Sequence, residues 1–381
     1  MKKLFILYMG LIGLMMTAGT LFAADLAEMP QWVQKMNLKG DFRLRCQWQE
    51  KEGSAAARSR ERMRFRIQGE EKVNDEIIMG FRLASGSADP RSTNQTLENS
   101  FETKPIMLDY AYAEYEARSV MTLTGGKFDN NKGFWKPVDF LWDSDIMVEG
   151  LAIAFNQNKI AEVAVKGVRS NVFLNTGIYV VDERSADRDP MLYVVQVGLD
   201  IVTSDKIGIK CSATTYAFDG LKGSVPAWSS GTNSGLTKSG DTVCGSLTQG
   251  YKDETTEFEV LLKNIFPATA SIFFESVNNL NLTVDNAGYI IGVKLGNQKI
   301  INEGEWRIGY DYRRLQKDAW PDFLPDFDAY SGSTGIWGHR IQFEYGLKNN
   351  SSFAVNYLHM SDITTDAKPE DLVQLDMLFK F

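Results

Sequence analysis

The sequence predicts a transmembrane antiparallel β-barrel of about sixteen strands, with short turns at one end and long loops at the other. Three observations carry this. Val373 to Phe381 reads Val-Gln-Leu-Asp-Met-Leu-Phe-Lys-Phe. Since alternate side chains of a strand take opposite faces, Val373, Leu375, Met377, Phe379 and Phe381 form one apolar face, and Gln374, Asp376 and Lys380 face the other way. The even-to-odd joints between the candidate strands are mostly tight and the long connections fall at odd-to-even joints, a segregation that a soluble sandwich has no reason to show. Beyond residue 24, no apolar run approaches the roughly 20 residues that a membrane helix requires, so a membrane-spanning form of this chain must be a closed sheet.

The elements follow in chain order. Met1-Lys2-Lys3, the apolar stretch Leu4 to Met16 and the small-residue zone Leu21 to Ala24 have the layout of a cleavable export signal over residues 1–24. Residues 25–35 are expected to be a short periplasmic segment, a small plug or helix, and 36–381 the barrel. Turn signals and alternation place strands at 36–50, 58–72, 75–84, 106–118, 119–129, 147–157, 160–181, 190–203, 206–218, 253–263, 268–278, 286–296, 303–316, 336–347, 350–360 and 369–381. The seventh is too long for one span and is expected to hide an irregularity around Arg169 to Asn171. Joints such as Val73-Asn74, Arg118-Ser119, Asn156 to Lys159, Ser204-Asp205, Asn264 to Pro267 and Lys348-Asn349 are tight. Ser85 to Pro105, Asn130 to Ile146, Asp219 to Lys252 and Lys317 to Gly335 are long. Both termini then lie on the short-turn, periplasmic side.

Composition agrees. A mean hydropathy of -0.24 is what a barrel gives when its apolar residues are spread over alternate positions. Without the leader, 39 basic side chains stand against 49 acidic, a net charge of about -10 that excludes nucleic acid as a natural partner. Cys46, Cys211 and Cys244 have no metal-like spacing, and the first two fall on the apolar parity of their strands.

Parity also sorts the charges. In the second strand Glu61, Met63, Phe65 and Ile67 alternate with Arg60, Arg62, Arg64 and Arg66, so four guanidiniums share a face that must meet water. The first strand adds Arg43 and Arg45, the third Arg82, the thirteenth Arg307 and Arg313, and the fourteenth Arg340. Closure brings these strands into one arc, a basic wall. Carboxylates gather elsewhere: Asp129, Asp139, Asp143 and Asp145 after strand five, Glu257 and Glu259 on strand ten, and Glu114 and Glu116 on strand four. Phe134, Trp135, Phe140 and Trp142 suit anchoring of that loop to the wall better than stacking of sugars. Asp143-Ser144-Asp145 and Asp326-Phe327-Asp328 offer hard oxygen ligands, but neither extends into a calcium pattern, and surface acid is the expectation. No cofactor or metal is implied.

Several phrases resemble the bacterial "putative porin" family of outer-membrane proteins. They are Gly40-Asp41-Phe42-Arg43-Leu44-Arg45, Met79 to Gly86, Gly125-Gly126-Lys127-Phe128, Trp142-Asp143-Ser144-Asp145 with Glu149-Gly150, then Tyr310 to Ala319, Gly338 and Tyr345-Gly346-Leu347. The likeness covers about the first 155 and the last 80 residues. Asp129-Asn130-Asn131 departs from it where a proline-containing turn is expected. The resemblance implies a passive, water-filled channel for small hydrophilic solutes or ions in the outer membrane. It also implies a loop after strand five folded inward as a constriction opposite the arginines, a C-terminal Phe381 read by the barrel-assembly machinery, and a homotrimer by analogy with general porins. A structural or adhesive barrel with a closed lumen is the alternative. A barrel hydrolase fits less well, because only His339 and His359 are available as bases, both on outward or rim parity, and no serine sits in a nucleophile turn.

Overall fold

The alternation of period two resolves into sixteen long strands that close on themselves. The computed structural model describes residues 35–117, 120–156, 168–203, 206–263, 268–364 and 368–381. The expected leader and residues 25–34 therefore lie outside the described residues. So do Arg118-Ser119, 157–167, Ser204-Asp205 and Asn264 to Pro267.

The strands of the wall begin with β1 (Asn37–Lys51), β2 (Arg58–Lys72), β3 (Ile77–Ser85), β4 (Ile106–Ala117), β5 (Met121–Asp129) and β6 (Met147–Asn156). They continue as β7 (Val168–Val180), β8 (Met191–Thr203), β9 (Ile207–Asp219), β10 (Tyr251–Leu262) and β11 (Thr269–Asn279). The last five are β12 (Ala287–Gly296), β13 (Trp306–Leu315), β14 (Ile336–Lys348), β15 (Ser351–Asp362) and β16 (Glu370–Lys380). Each pairs antiparallel with its sequence neighbour, and β1 pairs with β16 from Asp41↔Lys380 to Lys51↔Glu370. Closure removes the unpaired edges that an open sheet would present.

Burial is inverted relative to a soluble protein. On β8, Tyr193, Val195, Val197 and Leu199 are exposed, while Leu192, Val194 and Gln196 between them are buried. The same outward apolar face recurs in Met79, Leu108, Leu151, Ile291, Ile308 and Ile341. A patch of that extent is what a lipid-facing surface requires. Near the long-loop end, Tyr310, Tyr312, Trp337 and His339 pack together on the outside, with 5.1 Å between the rings of Tyr312 and His339. At the short-turn end Phe42 stacks on Phe379 and Phe65 on Phe381, each pair at 6.3 Å.

Three expectations need correction. β7 runs from Val168 to Val180, and its pairing with β8 continues without a shift through Arg169↔Val202, Ser170↔Ile201 and Asn171↔Asp200, so the expected irregularity there is absent. β13 begins at Trp306 instead of residue 303. The Glu305 carboxylate accepts the Ile301 and Asn302 N–H groups at 2.7 and 2.9 Å and holds those residues in a turn. Two long connections carry strands of their own: Gln95–Thr96 adds onto β2 at Met63 and Arg62, and Leu236–Ser239 pairs with Thr242–Gly245 as a hairpin.

Candidate functional site

Inside the barrel, aromatic packing and ionic packing occupy opposite sides. The connection 130–146 begins where Asp129 accepts the Asn131 N–H at 2.9 Å and caps a short 3-10 turn, Asn130–Lys132. The chain then folds inward. Phe134 meets Tyr216 edge-on at 5.5 Å and lies 5.1 Å from Trp142, which in turn lies 6.0 Å from Trp320 of the connection 316–335. Phe134, Phe140, Trp142 and Trp320 are all essentially excluded from solvent. Gly133 has no Cβ to collide with the Tyr179 hydroxyl, which lets the loop lie against β7. Gln196 of β8 fixes the same loop from below: its Oε1 accepts the Trp135 N–H at 2.7 Å and its Nε2 donates to the Trp135 carbonyl at 2.8 Å. That amide also donates to Thr214, whose hydroxyl donates to Glu257 on β10 at 2.9 Å.

On the β1–β2 and β13–β16 side the inward residues are charged. Period two puts Arg43 and Arg45 on one face of β1, directly opposite Arg64 and Arg62 of β2. Arg45 forms a two-pronged pair with Asp376 of β16, at 2.7 and 2.8 Å, and reaches Asp328 at 3.1 Å. Asp41 holds Arg64 and Arg66, each at 2.8 Å. Asp311 lies between Arg313, at 2.9 Å, and Arg340, at 2.7 Å, while Asp326 meets the same two at 2.8 and 3.5 Å. Arg307 pairs with Glu344 at 2.7 Å. The β3–β4 pairing passes from Arg82↔Tyr110 to Leu83↔Leu108, so Asp109 bulges out of register, and its carboxylate pairs with Arg82. Bulges commonly redirect a side chain in this way.

Of the loop carboxylates, Asp145 joins the arginines directly. Asp145 accepts the Thr93 N–H at 2.9 Å and approaches Arg66 at 3.4 Å. Asp143 accepts the N–H groups of Asp145 and Phe327, each at 2.8 Å. Burial pushes the Asp143 carboxyl well above the usual range, and the charges of Asp145 and Asp326 push the same way. Burial also acts on Asp145, but there Arg64 and Arg66 outweigh it and hold the carboxyl below the usual range. Asp326 is raised by burial in spite of Arg313 and Arg340, whereas Arg45 and Arg43 hold Asp328 down against the effect of burial.

Of the residues singled out from sequence, Arg43, Arg45, Arg64, Arg307 and Arg340 share with Asp139, Asp143 and Asp145 a cavity of about 290 Å³. Asp129 does not border it, being engaged in the cap, and Arg66, Arg82 and Arg313 lie in the ion-pair network beside it. Asp139 pairs with Lys136, at 3.7 Å. Asp143, Asp145 and Asp326, expected as surface acid, are buried, and no group of three or more potential metal ligands occurs among the described residues. Sequence reasoning missed the second inward loop, 316–335, which supplies Trp320, Asp326 and Asp328. The alternation of Trp320, Phe323, Leu324 and Phe327 with aspartates was its one visible signal. It also missed Asp41, Asp311 and Asp376, which share the inward parity of the arginines they hold.

Comparisons place this geometry. The structure of Pseudomonas putida OprB at high pH aligns with a TM-score of 0.59 and 10% identity, over 92% of this chain and 96% of that one. Salmonella typhi OmpF in complex with daunomycin aligns with a TM-score of 0.51 and 10% identity, over 91% and 97%. At that identity they establish the fold. No curated protein matches the sequence. The model of a family described as putative porin matches residues 50–250 and 253–381, nearly the whole wall. A closed lipid-facing barrel of sixteen strands, with that match running through both its inward loops, belongs to the putative porin family of bacterial outer-membrane proteins.

Proposed function

We propose that this porin is a passive, water-filled channel for small hydrophilic solutes and ions, with the long loops outside the cell and both ends of the wall's chain on the periplasmic side. The observation that supports this best is the cavity between the arginine wall and the inward loops, in a barrel of a strand number that leaves an aqueous bore. Arg43, Arg45, Arg60, Arg62, Arg64, Arg66, Arg82, Arg307, Arg313 and Arg340 form the basic side of the pore in this reading. Asp139, Asp143 and Asp145 narrow it from the 130–146 loop, while Asp129 secures the base of that loop. Charges confined by poorly polarisable walls act strongly on a passing ion. Export through a cleaved leader, recognition of Phe381 during assembly, and a homotrimer complete the proposal.

A second reading, a scaffold with a shut lumen, is favoured by one feature. The aromatic cluster of Phe134, Trp142, Tyr216 and Trp320 fills the β7–β10 side, and Asp322 and Asp318 fasten the connection 220–250 onto 316–335 through Thr232, Asn233 and Ser234. Planar-bilayer recording of the purified protein separates the two. Stepwise ohmic conductance in potassium chloride is expected of the channel, and its absence from folded, membrane-inserted protein sinks that reading.

A further inference from the structure

Ten arginines share the inward arc, yet they are not equally compensated. Seven lie against carboxylates: Arg45, Arg64, Arg66, Arg82, Arg307, Arg313 and Arg340. The other three do not. Arg43 comes no nearer to a carboxylate oxygen than 4.0 Å, at Asp376, which is already gripped by Arg45. Among the described residues, neutral oxygens meet these three. Arg43 donates to Asn94 at 2.6 Å, Arg60 to Gln49 at 3.3 Å, and Arg62 to Gln47 at 3.4 Å and Ser92 at 3.3 Å. The Nε–H of each is buried and has no protein acceptor.

A guanidinium withdrawn from water without a counter-charge is costly to keep. Arg62 and, with only a distant carboxylate, Arg43 are in this position, and the partly exposed Arg60 stands beside them, so the face suits an anionic partner that comes and goes. We propose that Arg43, Arg60 and Arg62 form a stepped anion track on the inner face of β1 and β2, selecting small solutes that carry carboxylate or phosphate oxygens. This rests on the channel reading and names the class of solute that such a channel favours.

The spacing suits transfer along the wall. Arg60 and Arg62 are two residues apart on β2, about 6.7 Å at the usual strand rise. One further step of that size leads to Arg64, whose cross-strand neighbour is Arg43. Each step is shorter than the screening length of about 8 Å at physiological salt, so the field of one cation overlaps that of the next. The planar fork of each guanidinium matches the two oxygens of a carboxylate or two oxygens of a phosphate. Arg60 is partly exposed toward the long-loop end, Arg62 is buried where Gln95–Thr96 adds onto β2, and Arg43 borders the cavity. The track therefore runs from the long-loop end inward.

The test is block of single-channel potassium chloride current by succinate, with neutral succinamide beside it. Succinate is expected to reduce the wild-type current in a saturable way and succinamide is not. In the triple variant Arg43→Gln, Arg60→Gln, Arg62→Gln the half-blocking concentration is expected to rise about tenfold or more, the scale on which confined charge concentrates a counter-ion. A triple variant of three loop cations, Arg184→Gln, Arg188→Gln, Lys238→Gln, changes net charge equally and is expected to retain the block. If the track variant fails to insert, Arg60→Gln alone must weaken the block. Equal effects from both triple variants, or no block of a conducting wild type, overturn the track. Absence of any current overturns the channel reading instead.

Discussion

Asp143 is the point at which the two inward loops meet. Its carboxylate accepts main-chain N–H groups from Asp145 in its own loop and from Phe327 in the other. Burial, reinforced by the charges of Asp145 and Asp326, keeps it protonated above the usual carboxylate value of 3.8. A carboxyl whose folded pKa is raised contributes stability that is present below its unfolded value and lost as pH rises through the folded value. The loop junction should therefore loosen on going from pH 4 toward alkaline pH, as a third negative charge forms between two others. Asp143→Asn keeps an acceptor for one of the two N–H groups and removes the titrating carboxyl. It should flatten the pH dependence of the heat-modification temperature and of current noise. A variant that retains the wild-type pH profile would show that another group governs the junction. The neighbouring quartet of Asp311, Asp326, Arg313 and Arg340 is compensated differently, since each carboxylate touches both guanidiniums. Parity in the sequence showed that such arginines point inward. It did not show their partners, because Asp326 reaches them only once a distant loop has folded into the lumen.

The decisive element is the 130–146 loop, and its position depends on one amide. Gln196 satisfies both the N–H and the carbonyl of Trp135 while itself resting on Thr214. Gln196→Ala would leave two part-buried main-chain groups without this partner, at a cost of up to about 1–3 kcal/mol each. The aromatic contacts of Phe134 and Trp142 would remain. The expected outcome is a loop that stays inside but opens more often. Trypsin should then cleave after Lys132, whose side chain is held by Glu114 at 2.7 Å in the folded protein, and channel currents should flicker. Unchanged protease resistance would mean that the aromatic packing holds the loop by itself. Wall strands were legible because each is a local run of alternating residues whose two faces meet lipid and water. Gln196 had no comparable signal, since one glutamine on a strand is simply an inward polar residue until the loop lies above it.

At the scale of the whole molecule, the barrel exists only if the first and last strands find each other. The seam is built from β1 and β16, and it ends where the Gly40 N–H donates to the Phe381 carbonyl at 2.8 Å and the Phe381 N–H returns to the Gly40 carbonyl at 3.0 Å. The terminal ring lies across Gly40 in space that a Cβ would occupy and stacks on Phe65 of the next strand. Phe381, at the end of β16, thus touches both β1 and β2 of the closed wall, although 61% of it remains exposed on the lipid side. Two roles predict different numbers. If the ring only packs, Phe381→Ala should lower stability by about the worth of one aromatic pair, 0.5–1.5 kcal/mol, and yield should follow stability. If an assembly factor reads it, the amount inserted into the outer membrane should fall several-fold, while the inserted fraction melts within that small margin of wild type. We expect the second pattern, because a residue so exposed after closure has most of its surface available before closure, when the last strand is still unpaired. Heat-modifiable protein measured in membrane fractions, with its melting temperature, tests this directly. A drop in yield that only matches the loss of stability would reduce Phe381 to a packing residue.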